Sequence, residues 1–239
     1  MIKDYVVIDL EMTGLNVKTD RILEAGAARV RDNVVTETFS ALINPKVPLS
    51  EKIVQLTGIT NEMAQAGEDA DTVLKEFFAF LGEDVLVGQN IIFDYSFLKQ
   101  WAVNHKICFE KRAVDTLKIA RKFLPEQQKK DLESLCLYFN IERENAHRAL
   151  EDVLETQKIF EKLQLAYEKG EPEAFEPKQL QYKVKKQTPA TAQQIKYLQR
   201  FAEYYKISMP ELKEGITRSE VSRFTDLLIA QYGKMPDKR

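Results

Sequence analysis

The sequence of 239 residues has only two cysteines and no long apolar run. Cys108 and Cys136 stand alone in apolar surroundings, without metal-ligand spacing, so we expect reduced core residues rather than a disulfide or a metal site. No apolar stretch approaches the about 18 residues that cross a bilayer, which predicts that the protein has no membrane partner. The first residues, MIKDYVV, lack a signal-peptide pattern, so we expect a cytoplasmic protein.

The sequence also lacks a strong excess of either charge, because its net charge is only −2. The distribution along the chain is nevertheless uneven. Residues 178–239 hold 13 Lys and Arg against 6 Asp and Glu, whereas residues 1–177 hold 22 against 31. An acidic N-terminal part fits metal binding and a basic C-terminal part fits phosphate contact, although such an excess can also serve only to solubilise a surface.

Two carboxylates end a short apolar run near the start of the chain. Asp9 and Glu11 follow β-branched residues in DYVVIDLEMTG, and residues two apart on a strand point to the same face. Crowded carboxylates repel each other, so they usually gather around hard divalent cations such as Mg²⁺ or Mn²⁺. The pair therefore indicates two-metal displacement at phosphorus, in which the ions hold the attacking and leaving oxygens.

A histidine and an aspartate are five positions apart in NAHRALEDV. On a continuous helix of about 3.6 residues per turn, His147 and Asp152 would point about 140° apart, so they cannot share a site from mid-helix. We therefore predict that the helix begins near Arg148 or Ala149, with His147 free to move at the mouth of the site. Its ordinary pKa of about 6.5 suits a general base. Taken singly, a histidine before a helix or an aspartate in a first turn more often has a capping or dipole role.

In combination, these segments resemble the DEDDh family of 3′–5′ exonucleases, which includes bacterial proofreading epsilon subunits, ribonuclease T and oligoribonuclease. The matching residues of the three motifs are Asp9, Glu11, Thr13 and Gly14; Asn90, Phe93, Asp94, Phe97 and Leu98; and His147 and Asp152. The resemblance covers residues 4–165. It implies two divalent ions, Mg²⁺ or Mn²⁺, and His147 as the general base, with the ions bound by Asp9, Glu11, Asp94 and Asp152. Gln89 departs from the many members that have histidine before the asparagine.

A second stretch, IVQLTGITNEM, resembles the family's loop that meets the terminal nucleotide. The resemblance implies substrate contacts from Thr13, Gly14, Leu56, Thr57, Gly58, Ile59 and Asn90. The stretch also fits a helix–turn–helix corner, with Gly58 as C-cap and Thr60 as the next N-cap, and both can hold at once. Asp115 matches a frequent family position, but we expect it to be an N-cap or a supporting residue rather than a ligand.

The resemblance implies a metal-dependent exonuclease that releases nucleoside 5′-monophosphates from 3′ ends, and we expect single-stranded or frayed ends of DNA as its substrate. DNA is favoured over RNA because the basic C-terminal part suggests a substrate longer than a few nucleotides. Three alternatives stay open. They are a 3′–5′ exoribonuclease acting on RNA or short oligonucleotides, a non-catalytic nucleic-acid or polymerase-binding subunit, and a proofreading subunit whose C-terminal part binds a DNA polymerase.

Apolar periodicity predicts five strands, at 4–11, 21–31, 34–43, 84–90 and 113–115, with a tight hairpin at Asp32 and Asn33. Helices are predicted at 70–82, 93–105, 115–123, 131–139 and 148–168. This order indicates an α/β protein with a mixed five-stranded sheet flanked by helices. It is compatible with the ribonuclease H-like fold that the resemblance implies.

Periodicity disappears after residue 168, where Gly170, Pro172, Pro177 and Pro189 interrupt the chain. We therefore predict an exonuclease domain at 1–168, a linker at 169–188 and a small helical module at 189–239. Two capped helices are expected in the module, with the capping pairs Thr191–Gln194 and Thr217–Glu220. The module distantly resembles helix–extended–helix modules of DNA-handling proteins, and a structural or partner-docking role is equally compatible.

Overall fold

The computed structural model describes residues 2–143, 148–184, 188–209, 212 and 216–236. Its contacts divide the chain into two units, one of Met1–Leu15 with Arg21–Val184 and one of Asn16–Asp20 with Lys185–Arg239. No helix in the described ranges has both the length and the apolar character that crossing a bilayer requires.

A mixed six-stranded sheet forms the centre of the first unit, in the order β3-β2-β1-β4-β5-β6. The strands are β1 (Tyr5–Met12), β2 (Ile22–Arg31), β3 (Val34–Leu42), β4 (Leu86–Gly88), β5 (Arg112–Asp115) and β6 (Lys178–Gln179). The first three are antiparallel, β4 and β5 run parallel to β1, and β6 is antiparallel to β5. Asp32 and Asn33 form the β2–β3 turn with φ of 50° and 63°. This is the left-handed conformation that a two-residue hairpin requires.

Seven helices of this unit flank or connect the strands within the described residues. They are α1 (Glu51–Thr57), α2 (Asn61–Ala66), α3 (Ala70–Leu81), α4 (Ile92–Asn104), α5 (Thr116–Phe123), α6 (Leu132–Tyr138) and α7 (Ala149–Leu163). α7 continues as a π-helical turn over Gln164–Glu168. Helix α1 ends at Gly58 in the left-handed conformation, and the Thr60 side chain caps α2. The predicted helix–turn–helix corner is therefore confirmed.

One hydrophobic core lies between one face of the sheet and α5, α6 and α7. Tyr5 and Val7 of β1 belong to it, and the Tyr5 ring meets the Phe160 ring edge-on, with centroids 5.2 Å apart. Because side chains alternate along a strand, Asp9 and Glu11 continue the same face beyond these apolar residues. The packing of the core thus directs both carboxylates toward the side of the sheet that α7 covers.

The structure differs from the predicted five-stranded sheet and from the predicted linker. β6 adds a sixth strand, after which the Leu180 N–H donates to the Lys111 carbonyl at 2.9 Å. Pro172 begins a 3-10 turn, Pro172–Phe175, and the Phe175 side chain is buried beside the ring of Phe123. Residues 169–184 therefore pack into the first unit. The buried Phe175 ring and the pairing of Lys178 and Gln179 with β5 hold this segment, although its sequence has no apolar periodicity. The other predicted boundaries stay predictions.

The cysteine prediction is half right. Cys136 is a buried free thiol, as expected, but Cys108 is exposed. It lies in the loop between α4 and β5, where Phe109 packs against Phe78 and Tyr95. The buried Phe109 ring anchors this loop, whereas its neighbours Ile107 and Cys108 stay exposed.

The second unit contains α8 (Ala192–Tyr205) and α9 (Arg218–Tyr232). Both predicted capping boxes are present: the Thr191 and Thr217 hydroxyls accept from the backbone N–H three residues on, and the Gln194 and Glu220 side chains accept from the cap residues in return. Leu198, Phe201 and Val221 are its fully buried large side chains among the described residues. The capping pairs in the sequence therefore predicted where both helices begin.

Candidate active site

The start of α7 is set by a buried acid on β2. The Glu24 carboxylate, 1% exposed, accepts from Nε and Nη2 of Arg148 at 3.1 and 2.7 Å and from the Ala149 N–H at 3.1 Å. A carboxylate at this position satisfies an unpaired helix N–H and complements the helix dipole. No motif predicts this pair, although a single acid inside the apolar strand ILEAGAAR indicates that it has a buried partner.

A glycine on the same strand permits α7 to approach the sheet. Gly26 lies opposite Asp9 in the β1–β2 register. A Cβ built at Gly26 would lie 2.5 Å from the carbonyl carbon of Ala149, which is closer than any real Cβ contact. Only glycine therefore allows this approach, which brings the first turn of α7, with Asp152, beside the carboxylates of β1.

Three predicted ligands come together at this point. Among the described residues, Asp9, Glu11 and Asp152 each offer one carboxylate oxygen, and these oxygens all lie within 4.8 Å of one another. Asp94 approaches from α4: it is 5% exposed, and its Oδ1 accepts from the Leu10 N–H at 3.1 Å. β1, α4 and α7 therefore bring four acidic residues to one end of β1.

The charges of these groups oppose their ionisation. Burial, reinforced by the charges of Asp94, Glu11, Asp152 and Glu24, raises the pKa of Asp9 well above its ordinary value. Burial and then the charges of Asp152 and Glu24 raise the pKa of Glu11 to about 8. Burial raises the pKa of Asp94 to about 7, although backbone hydrogen bonds act in the opposite direction. Negative charge is thus concentrated beyond what the protein's own groups neutralise.

This donor set fits a hard divalent cation. Its groups are carboxylates, which are the oxygen ligands that Mg²⁺ and Mn²⁺ prefer. A cation bound between them would offset the repulsion that raises their pKa values. Asp9, Glu11 and Asp152 are grouped closely enough to share one ion.

An arginine outside the three motifs contacts the same cluster. The Arg143 Nη2 lies 2.7 Å from Asp152 Oδ1, and its Nε lies 2.9 Å from a carboxylate oxygen of Glu155. All three side chains are largely buried. The guanidinium therefore neutralises part of the negative charge of Asp152 and Glu155. The predicted general base, His147, lies outside the described residues.

The second motif is fixed by hydrogen bonds to the following strand. Asn90 adopts φ of 59°, and its N–H donates to Asp115 Oδ1 at 3.0 Å. The same Oδ1 accepts from the Leu117 N–H, so Asp115 is the N-cap of α5, as predicted. Gln89, which stands where many family members have histidine, donates from Nε2 to the Lys130 carbonyl at 2.6 Å and accepts from the Thr116 hydroxyl.

The predicted substrate contacts have different surroundings. Leu56 is 48% exposed at the end of α1. In contrast, the Thr57 hydroxyl donates to the Ile53 carbonyl and accepts from the Ile59 N–H, and Ile59 is buried against Leu23. For Thr57 and Ile59, the structure places both side chains in packing roles.

In the first motif, the Thr13 hydroxyl accepts a hydrogen bond from the Arg21 N–H at 2.9 Å. Gly14 is partly exposed directly after it, and Asn90 is exposed. The structure thus leaves Leu56 and Asn90 exposed, and Thr13 and Gly14 partly exposed.

Comparison with known proteins gives a consistent result. The model of the family RNase_T, described as exonuclease, matches residues 6–160. The DNA polymerase III subunit epsilon of Aquifex aeolicus (strain VF5) is 36% identical over 160 residues, which cover 66% of this chain and 79% of that protein. The PolC-type DNA polymerase III of Bacillus subtilis (strain 168) is 39% identical over 170 residues, which cover 70% of this chain but 12% of the polymerase. The chain thus corresponds to a small part of the PolC-type relatives.

A solved structure shows the same fold. The nuclease domain of 3′hExo, a DEDDh family member bound to rAMP, has a TM-score of 0.62 at 19% sequence identity, and the match covers 75% of this chain and 98% of that one. The predicted α/β architecture of the ribonuclease H-like type is confirmed, with six strands in place of five. On the match over residues 6–160, the chain belongs to the RNase_T exonuclease family.

Proposed function

We propose that this protein is a metal-dependent 3′–5′ exonuclease that removes nucleoside 5′-monophosphates from single-stranded or frayed 3′ ends of DNA. The observation that carries the proposal is the grouping of Asp9, Glu11 and Asp152, whose oxygens lie within 4.8 Å of one another, with Asp94 beside them. Such a concentration of carboxylates is costly without a cation, and family membership makes phosphodiester hydrolysis the matching chemistry.

Each residue of the site has a separate proposed role. Asp9, Glu11, Asp94 and Asp152 hold two divalent ions, Mg²⁺ or Mn²⁺. When bound, the ions stabilise the charge that develops on the attacking and leaving oxygens. His147 accepts the proton of the attacking water, as a group with an ordinary pKa of about 6.5 can do at neutral pH.

Substrate contacts are proposed for Thr13, Gly14, Leu56, Thr57, Ile59 and Asn90. The exposed Leu56 side chain can pack against the terminal base, whereas the buried Thr57 and Ile59 side chains leave their backbone groups for contact. The exposed amide of Asn90 can bind a sugar or phosphate oxygen.

DNA is the proposed substrate because the relatives named above are an epsilon subunit of DNA polymerase III and a PolC-type DNA polymerase III. The same names support association with a DNA polymerase, for which the helical module at 189–239 is the proposed contact. The neighbour bound to rAMP supports exoribonuclease activity as a second candidate. The cytoplasmic location stays a prediction.

Hydrolysis of matched substrates tests the proposal. Single-stranded DNA, duplex DNA with a mismatched 3′ end, and RNA of the same sequence are labelled at the 5′ end and incubated with Mg²⁺, Mn²⁺ or EDTA. We expect a ladder of shortened strands with either ion, none with EDTA, and the fastest cutting on single-stranded DNA. Immediate release of one labelled mononucleotide would instead show attack from the 5′ end.

Variants then test the roles of the residues. Asp9→Asn should abolish cutting, and His147→Ala should reduce turnover by about 10²- to 10⁴-fold, the usual contribution of a positioned acid–base group. Glu76→Gln, on the exposed face of α3, is the matched control and should cut at the wild-type rate. Full activity of Asp9→Asn with saturating Mn²⁺ would refute the metal assignment.

A further inference from the structure

A groove extends from Asn90 along α5, beyond the carboxylate cluster. It has a volume of about 900 Å³, and its lining includes Asn90, Leu117, Arg121, Leu124, Gln128 and Lys129. Pockets of this size hold small organic molecules, so the groove is large enough for at least one nucleotide. No predicted role involves its residues, apart from that of Asn90.

Hydrogen bonds hold the loop between α5 and α6, which contributes to the wall of the groove. Gln89 donates to the Lys130 carbonyl at 2.6 Å and thereby fixes the loop between α5 and α6 to the second motif. The Lys130 ammonium donates to the Pro125 carbonyl at 2.6 Å, and Gln128 donates to the Ser134 carbonyl at 3.1 Å. The loop therefore holds its own shape.

Two cations of the groove are available to a ligand. Within the described ranges, neither Arg121 nor Lys129 forms an ion pair or a hydrogen bond through its charged group. Two acids also line the groove, Glu126 and Asp131. Asp131 accepts hydrogen bonds from Ser134 as the N-cap of α6, and these bonds together with the nearby charge of Lys129 lower its pKa. Arg121 and Lys129 can contact phosphates, and Leu117 and Leu124 beside them can contact apolar surfaces. The lining therefore suits a ligand that has both a row of phosphates and apolar surfaces.

The sheet places the groove on a defined side of the carboxylates. β4 is parallel to β1, so Asn90, just after β4, lies at the same edge of the sheet as the end of β1 with Asp9. From there the groove continues toward β5 and α5. The segment with Leu56 and Ile59 lies on the other side, because Ile59 packs against Leu23 of β2.

The positions of Leu56, the carboxylates and the groove indicate which part of a substrate strand lies in the groove. If the released 3′ nucleotide lies by Leu56 and the scissile phosphate lies at the carboxylates, the rest of the strand must leave on the opposite side. We propose that the groove along α5 binds the nucleotides on the 5′ side of the scissile bond, with Arg121 and Lys129 contacting their phosphates. This inference rests on the proposed exonuclease function and adds to it a path for the substrate strand.

The test compares the double variant Arg121→Gln/Lys129→Gln with the charge-matched control Lys75→Gln/Lys158→Gln, whose exposed lysines lie on α3 and α7. Both are made in the full chain. Binding of fluorescein-labelled ten-residue oligo(dT) is followed by anisotropy in an Asp9→Asn background at several salt concentrations. Loss of two phosphate contacts should weaken binding about tenfold at low salt and make the slope of log affinity against log salt shallower by about 1.4.

Hydrolysis measurements complete the test with the same substitutions in the active enzyme. The double variant should raise KM for the ten-residue strand and leave kcat/KM for a dinucleotide unchanged, because a dinucleotide does not extend into the groove. An equal loss on both substrates, or an unchanged salt slope, would overturn the inference. A loss confined to duplex substrates would also overturn it, because the groove would then bind the complementary strand. If the wild type cuts no strand at all, the proposed function itself fails.

Discussion

Removal of one carboxylate from the cluster should stabilise the metal-free protein at high pH. Burial and the charges of Asp152 and Glu24 raise the pKa of Glu11 to about 8, from an ordinary value of 4.5. Below pH 4.5 the folded and unfolded states are both protonated at Glu11. Between pH 4.5 and 8 only the folded state keeps the proton, so the stability of the wild type falls as pH rises through this window. Glu11→Gln removes this loss.

The magnitude follows from the pKa difference. A change from 4.5 to about 8 corresponds to about 5 kcal/mol at full effect. Because Glu11 is partly exposed, solvent screens its charge, and about 2 kcal/mol is the expected gain. In a chain of this length, that gain should raise Tm by about 4–8 °C.

Thermal unfolding followed by circular dichroism in EDTA, at pH 5 and pH 9, measures the effect. Glu11→Gln should match the wild type at pH 5 and exceed it at pH 9, whereas Glu76→Gln should follow the wild type at both. With Mg²⁺ at pH 9 the order should reverse, because the wild type gains the free energy of ion binding. A variant less stable than the wild type at pH 9 in EDTA, or a difference equal at both pH values, would refute the reasoning.

Three further substitutions test the supports of the site. Gly26→Ala should cost about 1–3 kcal/mol in urea unfolding and slow hydrolysis, because its Cβ would collide with the Ala149 backbone; unchanged turnover would contradict this. Arg143→Leu should cost about 3–5 kcal/mol in EDTA, since it removes the guanidinium that contacts the buried carboxylates of Asp152 and Glu155, and Mg²⁺ should restore part of the loss. Phe175→Ala should cost about 3–5 kcal/mol, whereas a linker residue would cost almost nothing.

The sequence predicted those parts of the fold that local patterns encode. The two-residue period placed Asp9 and Glu11 on one face, and the capping pairs placed the starts of α8 and α9. The turn at Asp32 and Asn33 followed from residues that tolerate positive φ. Each of these features depends only on residues that are close together in the chain, so it can be predicted from the sequence alone.

The remaining features depend on residues far apart in the chain. Glu24 and Arg148 are 124 positions apart, and nothing local to either shows that they meet. Phe175 lies between prolines, and its burial depends on rings contributed by α5 and α7. The clearance that Gly26 provides becomes visible only when α7 lies across β2.

The short strand β6 has a consequence for how this protein behaves with copies of itself. An open strand edge presents unpaired N–H and C=O groups that can recruit another sheet. β6 covers the edge of β5 but has only two residues, Lys178 and Gln179, both exposed and preceded by Pro177. Brevity, a lysine and a proline are each known to discourage further pairing. The segment thus covers this edge of the sheet and prevents further strand pairing. A chain shortened to end before Pro177 would leave the edge of β5 unpaired and prone to aggregation.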